Sequence, residues 1–419
     1  MTQTNICILG GGFGGLYTAL RLSQLSWEGF TPPQITLVDQ SDRFVFLPLL
    51  YELLTHELET WEIAPPFEEL LAGTGIQFVR GTVTAIDAQA KQVQIQTARV
   101  QTARAQAGAA EISPVPQVLT YDRLVLALGG ETPLEMALGA ADYALPFRSV
   151  EDAYRLEEKL RRLEASDQDR IRIVVAGGGY SGVELACKLA ERLGDRGRIR
   201  IVELADKILR NSPEFNRESA QKALEALGVW VDLETRIQAI RADEIDLEYK
   251  DQRDTVPVDL VVWTVGTQVV PVVQALELPK GDRGQILIRP TLDVVDHPEI
   301  FALGDLAIGV DAEAQNVPAT AQAAFQQADY VGWNIWASLT QRPLLPFHYQ
   351  NLGEMMSLGK NSATLTGLGV TLNGPLAHVA RRLVYLARMP TLDHQLRVGF
   401  NWMTKPIQDL IRTAVPPGG

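Results

Sequence analysis

The chain has 419 residues, more than one ordinary domain holds, so two or three domains are expected. Hydrophobic residues make up 46% and charged residues 21%, a globular balance that excludes wholesale disorder and a polytopic membrane protein. With 38 Lys+Arg against 51 Asp+Glu the net charge is -13, which excludes a nucleic-acid binder that must neutralise phosphates with a basic surface.

The chain passes almost at once into the apolar run Asn5–Leu9, so no leader peptide is expected. That run reads as a buried parallel strand. Glycine-rich residues 10–15 follow, then helical spacing over 16–25 and a second strand at Gln34–Asp39, which together make a βαβ unit. Short antiparallel strands are expected over 78–86 and 91–97. The tetrapeptide Q-T-A-R at 96–99 repeats at 101–104 ahead of an alanine- and proline-rich stretch to 116, read as a surface loop. A strand over 121–128 ends in Gly129-Gly130.

The βαβ pattern then recurs: strand 172–176, glycine turn 177–182, helix 183–193 and strand 198–203. Further apolar strands over 259–265 and 300–303 end in Gly266 and in Gly304-Asp305. Beyond about Phe347 the pattern becomes a glycine-rich piece and two amphipathic stretches. The fold class expected is α/β, with two Rossmann-like dinucleotide-binding domains and a C-terminal amphipathic segment. The division runs 1–150 and 286–345 for the first dinucleotide, 151–285 for the second and 346–419 for the tail.

Each glycine turn fits G-x-G-x-x-G. Its first glycine makes a tight turn, its second admits a pyrophosphate against the backbone, and its third lets helix and strand approach. Gly10, Gly12 and Gly15 fit with Asp39 at the next strand end, and Gly177, Gly179 and Gly182 fit with Glu203. Both carboxylates can accept hydrogen bonds from ribose hydroxyls. A flavin and a nicotinamide dinucleotide are the economical pair. Asp305, at a strand end, is placed to bind the cofactor of the N-terminal unit, which makes that site FAD and the second NAD(P)H. Glu203 would repel a 2′-phosphate and so favours NADH, although Arg198, Arg200, Lys207 and Arg210 lie near enough in sequence to leave NADPH open.

Only two cysteines are present, Cys7 in the first strand and Cys187 in a helix, and neither forms a C-x-x-C. No disulfide framework or metal cluster is expected, a reducing, intracellular setting is expected, and no thiol is placed to take electrons from a flavin. An apolar acceptor such as a quinone fits. In P-A-T-A-Q-A-A-F-Q-Q (318–327), Gln322 and Gln326 share a helix face. They could bond a flavin edge or a quinone carbonyl, or simply be solvated.

Several motifs together resemble type II NAD(P)H:quinone dehydrogenases, most closely their cyanobacterial and plastid demethylphylloquinone reductase branch. These are G-G-G-F-G-G, P-L-L-Y-E at 48–52, G-G-G-Y-S-G-V-E at 177–184, A-L-G-D, A-Q-A-A-F-Q-Q, and the branch stretches W-E-G-F-T-P-P, T-W-E-I-A-P-P-F and R-R-L-V-Y-L. The resemblance implies a non-pumping, peripheral flavoprotein, usually dimeric, that passes a hydride from NAD(P)H through FAD to a membrane naphthoquinone such as demethylphylloquinone. The resemblance also implies a role in phylloquinone biosynthesis or respiration, expected on the cytoplasmic face of a plasma or thylakoid membrane. It further implies flavin contacts from Phe13, Gly14, Val83, Gly129, Ala321 and Gln322, nicotinamide contacts from Tyr180, Ser181, Glu184 and Gly266, and quinone contacts from Tyr51, Phe325, Gln326 and Gln327. The sequence has A-L-G at 127–129 where the family often has A-T-G. Glu184 either supplies a proton to the quinone or only completes a helix N-terminus.

The tail carries Leu376, Val379, Leu383 and Leu386 at helical spacing, with Arg381, Tyr385 and Arg388 on another side. A second stretch holds Phe400, Trp402, Met403, Ile407, Leu410 and Ile411. Such helices either pack on a core or lie in a membrane interface. From residue 376 onward, six basic residues (Arg381, Arg382, Arg388, Arg397, Lys405, Arg412) face two acidic ones (Asp393, Asp409), a local +4 that suits an anionic leaflet. Deleting residues after about Asn373 should then release the protein from membranes. Two other functions fit the fingerprints: a soluble ferredoxin or rubredoxin reductase, and an NAD(P)H-sensing flavoprotein acting through a partner.

Overall fold

The structure is a computed structural model that describes residues 3–97 and 115–414, with side chains as far as 405. The second Q-T-A-R copy and the side chains of Ile407, Leu410 and Ile411 lie outside the described residues. The chain forms two compact units, one of residues 1–44, 66–131 and 267–350, the other of 45–65, 132–266 and 351–419.

The first unit is built on a six-stranded sheet in the order Asp293–Val294, His297–Ala302, Arg123–Leu126, Asn5–Leu9, Gln34–Asp39, Gln77–Arg80. All neighbours are parallel except the first pair. Ile6, Ile8, Leu9, Leu37, Val38, Leu124 and Val125 are buried, as continuous apolar runs in a sheet covered on both faces should be. The helix Phe13–Gln24 packs on the long helix Ala321–Leu339. Gly332 allows that approach, since a Cβ there would lie 2.7 Å from Arg21 Cγ.

The expected strand over 78–86 is two strands. Gln77–Arg80 joins the main sheet, while Thr82–Asp87 pairs antiparallel with Gln92–Thr97. The break falls at Gly81, where a Cβ would lie 2.3 Å from Ile95 Cγ2. Val115–Thr120 pairs with Gln92–Thr97, so residues 115 and 116 are strand and not loop.

The second unit holds a five-stranded parallel sheet in the order Trp230–Asp232, Gly197–Val202, Ile171–Ala176, Leu260–Trp263, Ala144–Pro146. The compact units change over at 131/132, 266/267 and 350/351. Ala144–Pro146 completes this sheet within the second unit; residues 267–285 lie in the first compact unit, and 45–65 in the second. An edge strand as short as Ala144–Pro146 carries little periodicity.

The tail forms an antiparallel sheet of Glu354–Ser357, Ala363–Gly367 and Val370–Asn373, then the helices Gly374–Ala387 and Leu392–Ala414. In the first helix Leu376, Val379 and Leu383 are 73%, 55% and 60% exposed, whereas Ala377, Arg381 and Tyr385 are buried. Leu392, Leu396, Phe400 and Met403 form a second exposed apolar stripe. Trp402, expected with that stripe, turns inward and donates from Nε1 to Glu62 Oε1 at 2.7 Å. Among the described residues no helix is long and apolar enough to cross a membrane.

Candidate active site

The two glycine turns are built alike. Gly10 and Gly177 have φ of +97° and +101°, open to glycine at little cost. A Cβ on Gly15 would lie 1.8 Å from Gly10 O, and one on Gly182 would lie 1.9 Å from Gly177 O. Gly12 and Gly179, in contrast, have nothing within 4 Å of a Cβ position. Each turn is thus closed on its packed side and open only at the middle glycine. That is the shape of a pyrophosphate cradle at a helix N-terminus. The strand-end carboxylates repeat the likeness. Asp39 Oδ2 accepts from Gly11 N–H at 2.6 Å and Oδ1 from Ser41 N–H at 2.8 Å; Glu203 Oε2 accepts from Gly178 N–H at 2.6 Å and Oε1 from Ala205 N–H at 2.8 Å. Burial raises the Asp39 pKa above the usual carboxylate range, opposed by the N–H groups of Gly11, Ser41 and Gln40.

In the first unit a cavity of about 580 Å³ is lined by Gly10, Asp39, Gly81, Val83, Leu128 and Glu131. Gly129 has φ +66° with open space at its Cβ position, so the departure A-L-G leaves the turn intact. These residues fit an adenine dinucleotide. Gly304 N–H donates to Gln327 Oε1 at 3.0 Å, so the buried Gln327 holds the turn that carries Asp305. Gln326 bonds the backbone of Gln350 with both ends of its amide, and Gln322 accepts from Tyr349 Oη–H at 3.1 Å. Phe13, Tyr17, Phe44 and Phe325 form one aromatic cluster, with Phe325 set edge-on to Tyr17 at 4.7 Å. Gly14 packs on Leu303 and Ala127, and Ala321 opens the helix whose N-cap Thr320 accepts from Ala323 N–H.

Because the two middle glycines face open space, Gly179→Ala is expected to leave the fold and the bound flavin intact and to weaken NAD(P)H binding about tenfold or more. Gly12→Ala should instead yield folded protein that purifies with little flavin. A titration of NAD⁺ and the flavin-to-protein absorbance ratio check both; an unchanged pair of values would remove the cradles.

The second unit gathers the ionisable groups. Glu184 is 6% exposed on the helix Tyr180–Leu193, where its Oε1 accepts from Ser357 N–H at 2.8 Å and Arg381 Nη2 at 3.4 Å. Burial pushes its pKa up to about 7; Arg381 and the Ser357 N–H oppose the rise and the nearby Glu52 adds to it. Arg381, itself fully buried, also donates to Glu52 Oε1 and to Pro48 O at 2.7 Å, and its guanidinium lies 4.9 Å from the Tyr385 ring centroid. Glu52 accepts from Arg382 at 2.9 Å as well. Burial alone would raise the Glu52 pKa, but Arg381, Arg382 and Lys188 hold it at about 2. Tyr51 is buried beside this group and bonds Ser181. Gly266 has φ +74° and packs on Pro133 and Met136.

Glu52, Arg381 and Ser357 were not expected at the site. A glutamate inside the apolar run P-L-L-Y-E and an arginine amid leucines were the available signals, since a buried charge needs a partner. Cys7 and Cys187 are buried, with thiol pKa values pushed up to about 12, so neither is a thiolate near neutral pH. No group of His, Cys, Asp and Glu among the described residues could hold a metal ion.

Two cradled dinucleotide sites and inert cysteines define an oxidoreductase that uses FAD and NAD(P)H. The chain belongs to the pyridine nucleotide-disulphide oxidoreductase family, whose pattern matches residues 4–328, and within it to the type II NAD(P)H:quinone oxidoreductases. It is 56% identical to demethylphylloquinone reductase NdbB of Synechocystis sp., over 98% of both chains. It is 44% identical to alternative NAD(P)H-ubiquinone oxidoreductase C1, chloroplastic/mitochondrial, of Arabidopsis thaliana, over 98% of this chain and 82% of that one. Its fold matches the structure of NDH2 from Plasmodium falciparum in complex with NADH at a TM-score of 0.81 and 16% identity, covering 97% of this chain and 98% of that one.

Proposed function

We propose that this chain oxidises NAD(P)H and reduces a membrane naphthoquinone, demethylphylloquinone above others. Bound FAD supplies the hydride acceptor and electron donor. The chain's own residues do the rest: the cradles at Gly12 and Gly179 seat the two dinucleotides, Asp39 and Glu203 take ribose hydroxyls, and Glu184 holds a proton close to neutral pH. Glu203 favours NADH, because its strand-end carboxylate, held by the N–H groups of Gly178 and Ala205, would repel a 2′-phosphate. The observation that carries the acceptor class is the buried carboxyl of Glu184, in a chain whose thiols are inert. A dimer on the cytoplasmic face of a plasma or thylakoid membrane belongs to the same reading. NADH and NADPH oxidation with a soluble naphthoquinone, compared with ferredoxin plus cytochrome, tests it. Faster turnover with ferredoxin would overturn it.

The membrane contact rests on apolar area more than on charge. Of the tail's expected basic residues, Arg381 is buried against Glu52, Arg382 bonds the same carboxylate, and Lys405 donates to Glu57 O at 2.7 Å. The outward stripes Leu376, Val379, Leu383 and Leu392, Leu396, Phe400, Met403 are the parts available to lipid. They favour this reading over a soluble ferredoxin reductase, which needs a basic docking face. Deletion after Asn373 would remove Arg381 and Trp402 from buried partners, so it confounds release with unfolding. Leu383→Asp with Phe400→Asp is the cleaner variant. It is expected to fold normally and to lose roughly tenfold or more in partition onto anionic phospholipid vesicles, by co-sedimentation. Full retention in the pellet would sink the membrane assignment.

A further inference from the structure

One face of the helix Tyr180–Leu193 carries Tyr180, Glu184, Lys188 and Glu191, at spacings that stack them above one another. Residues 354–360 run along this face and meet every one. Glu354 accepts from Tyr180 Oη–H, Ser357 N–H donates to Glu184, Lys188 Nζ donates to Gly359 O at 2.9 Å, and Lys360 N–H donates to Glu191 Oε2 at 2.6 Å. The last three contacts use backbone of the 354–360 segment. Of these four hydrogen bonds only that of Glu354 uses a side chain of the segment, and it falls at the residue that follows the open Gly179.

The grip on Glu354 comes from several sides. Its Oε2 also accepts from Ser212 Oγ–H at 2.7 Å and Asn216 Nδ2–H at 3.3 Å. Asn216 is fully buried and accepts in turn from Thr364 Oγ1–H at 2.7 Å and Thr366 Oγ1–H at 2.5 Å, on the neighbouring strand. Three donors on one carboxylate oxygen fix its place and fill its hydrogen-bonding capacity.

We propose that Glu354 is a positioning residue for the NAD(P)H site: it fixes the Tyr180 side chain, and with it the first turn of the helix that receives the dinucleotide phosphates. The inference rests on the assignment of the second glycine turn to NAD(P)H. A helix N-terminus binds anions well only when its first turn is ordered before the ligand arrives, so loosening Tyr180 weakens binding without touching the reacting groups.

The test uses the flavin-loaded full-length protein and NAD⁺, which binds without reducing the flavin. Glu354→Leu should raise the NAD⁺ dissociation constant about tenfold by calorimetry, and the NADH KM in step, while kcat falls less than about twofold. Glu354→Gln, which keeps an acceptor oxygen, should recover most of the loss. Tyr180→Phe added to Glu354→Leu should cost NAD⁺ affinity less than it does alone, since both break the Tyr180–Glu354 contact and only the Tyr180–Ser212 contact is left to lose. Unchanged NAD⁺ affinity in a folded Glu354→Leu protein, or a loss confined to kcat, overturns the proposal. If Glu354→Leu fails to fold, Tyr180→Phe alone decides: weaker NAD⁺ binding supports the contact and unchanged binding rejects it. Failure of the unsubstituted protein to bind NAD⁺ would overturn the site assignment itself.

Discussion

Glu184→Gln is expected to leave reduction of the enzyme by NADH within about twofold and to slow its reoxidation by a naphthoquinone by roughly 10² or more, the usual worth of a general acid. The carboxyl is buried and its pKa is raised to about 7, so below that pH it is neutral and, in the proposed role, carries the proton a reduced quinone must take up. Above about 7 it ionises beside Arg381 and the donor is lost. The quinone-dependent rate of the unsubstituted enzyme should therefore fall as pH rises through 7, and the variant should show a flat profile. Stopped-flow flavin absorbance separates the two half-reactions, and unchanged rates in both would leave Glu184 as no more than the end of a helix.

The same group has a consequence for stability with a definite sign. Its folded-state pKa lies above the ordinary 4.5, so the folded chain binds the extra proton between about 4.5 and 7. Its contribution to stability is full at pH below 4.5 and declines as pH rises to 7. Glutamine at this position removes that slope.

The fold and both cradles were legible because they rest on local rules. Asn5–Leu9 and Gln34–Asp39 are short apolar strands closed by glycines or a carboxylate, and G-x-G-x-x-G needs no long-range partner to be read. What was illegible depends on contacts distant in sequence. Glu52 and Arg381 are 329 positions apart, and Glu354 and Tyr180 are 174 apart. The tail shows the limit most clearly. Its leucine spacing was plain, but leucines at three and four apart mark the inner face of most helices. Here that face is outward, because Glu52 captures Arg381 and Arg382 and turns the arginine side of Gly374–Ala387 inward. The amide bonds of Gln326 to Gln350 and of Gln327 to Gly304 likewise join residues more than twenty positions apart, which a motif does not reveal.

Arg381→Met should be strongly destabilising. Arg381 and Glu52 are both fully shielded from solvent, and removing one partner of such a pair leaves an uncompensated buried charge, at a cost of about 3 to 5 kcal/mol. Arg382 and Lys188 remain near Glu52 and set the loss toward the lower end. The pH dependence identifies the cause. The Glu52 pKa is held at about 2, so its share of stability is present above the ordinary 4.5 and is lost as pH falls toward 2. Without Arg381 the carboxyl takes up a proton at higher pH, so the gap between the two proteins should be wide at pH 8 and shrink toward pH 4. Adding Glu52→Gln to Arg381→Met should recover part of the loss, since a neutral amide needs no counter-ion. Urea melts at the two pH values measure all of this, and a gap that stays constant with pH would mean that Arg381 stabilises the helix through packing on Tyr385 and not through its charge.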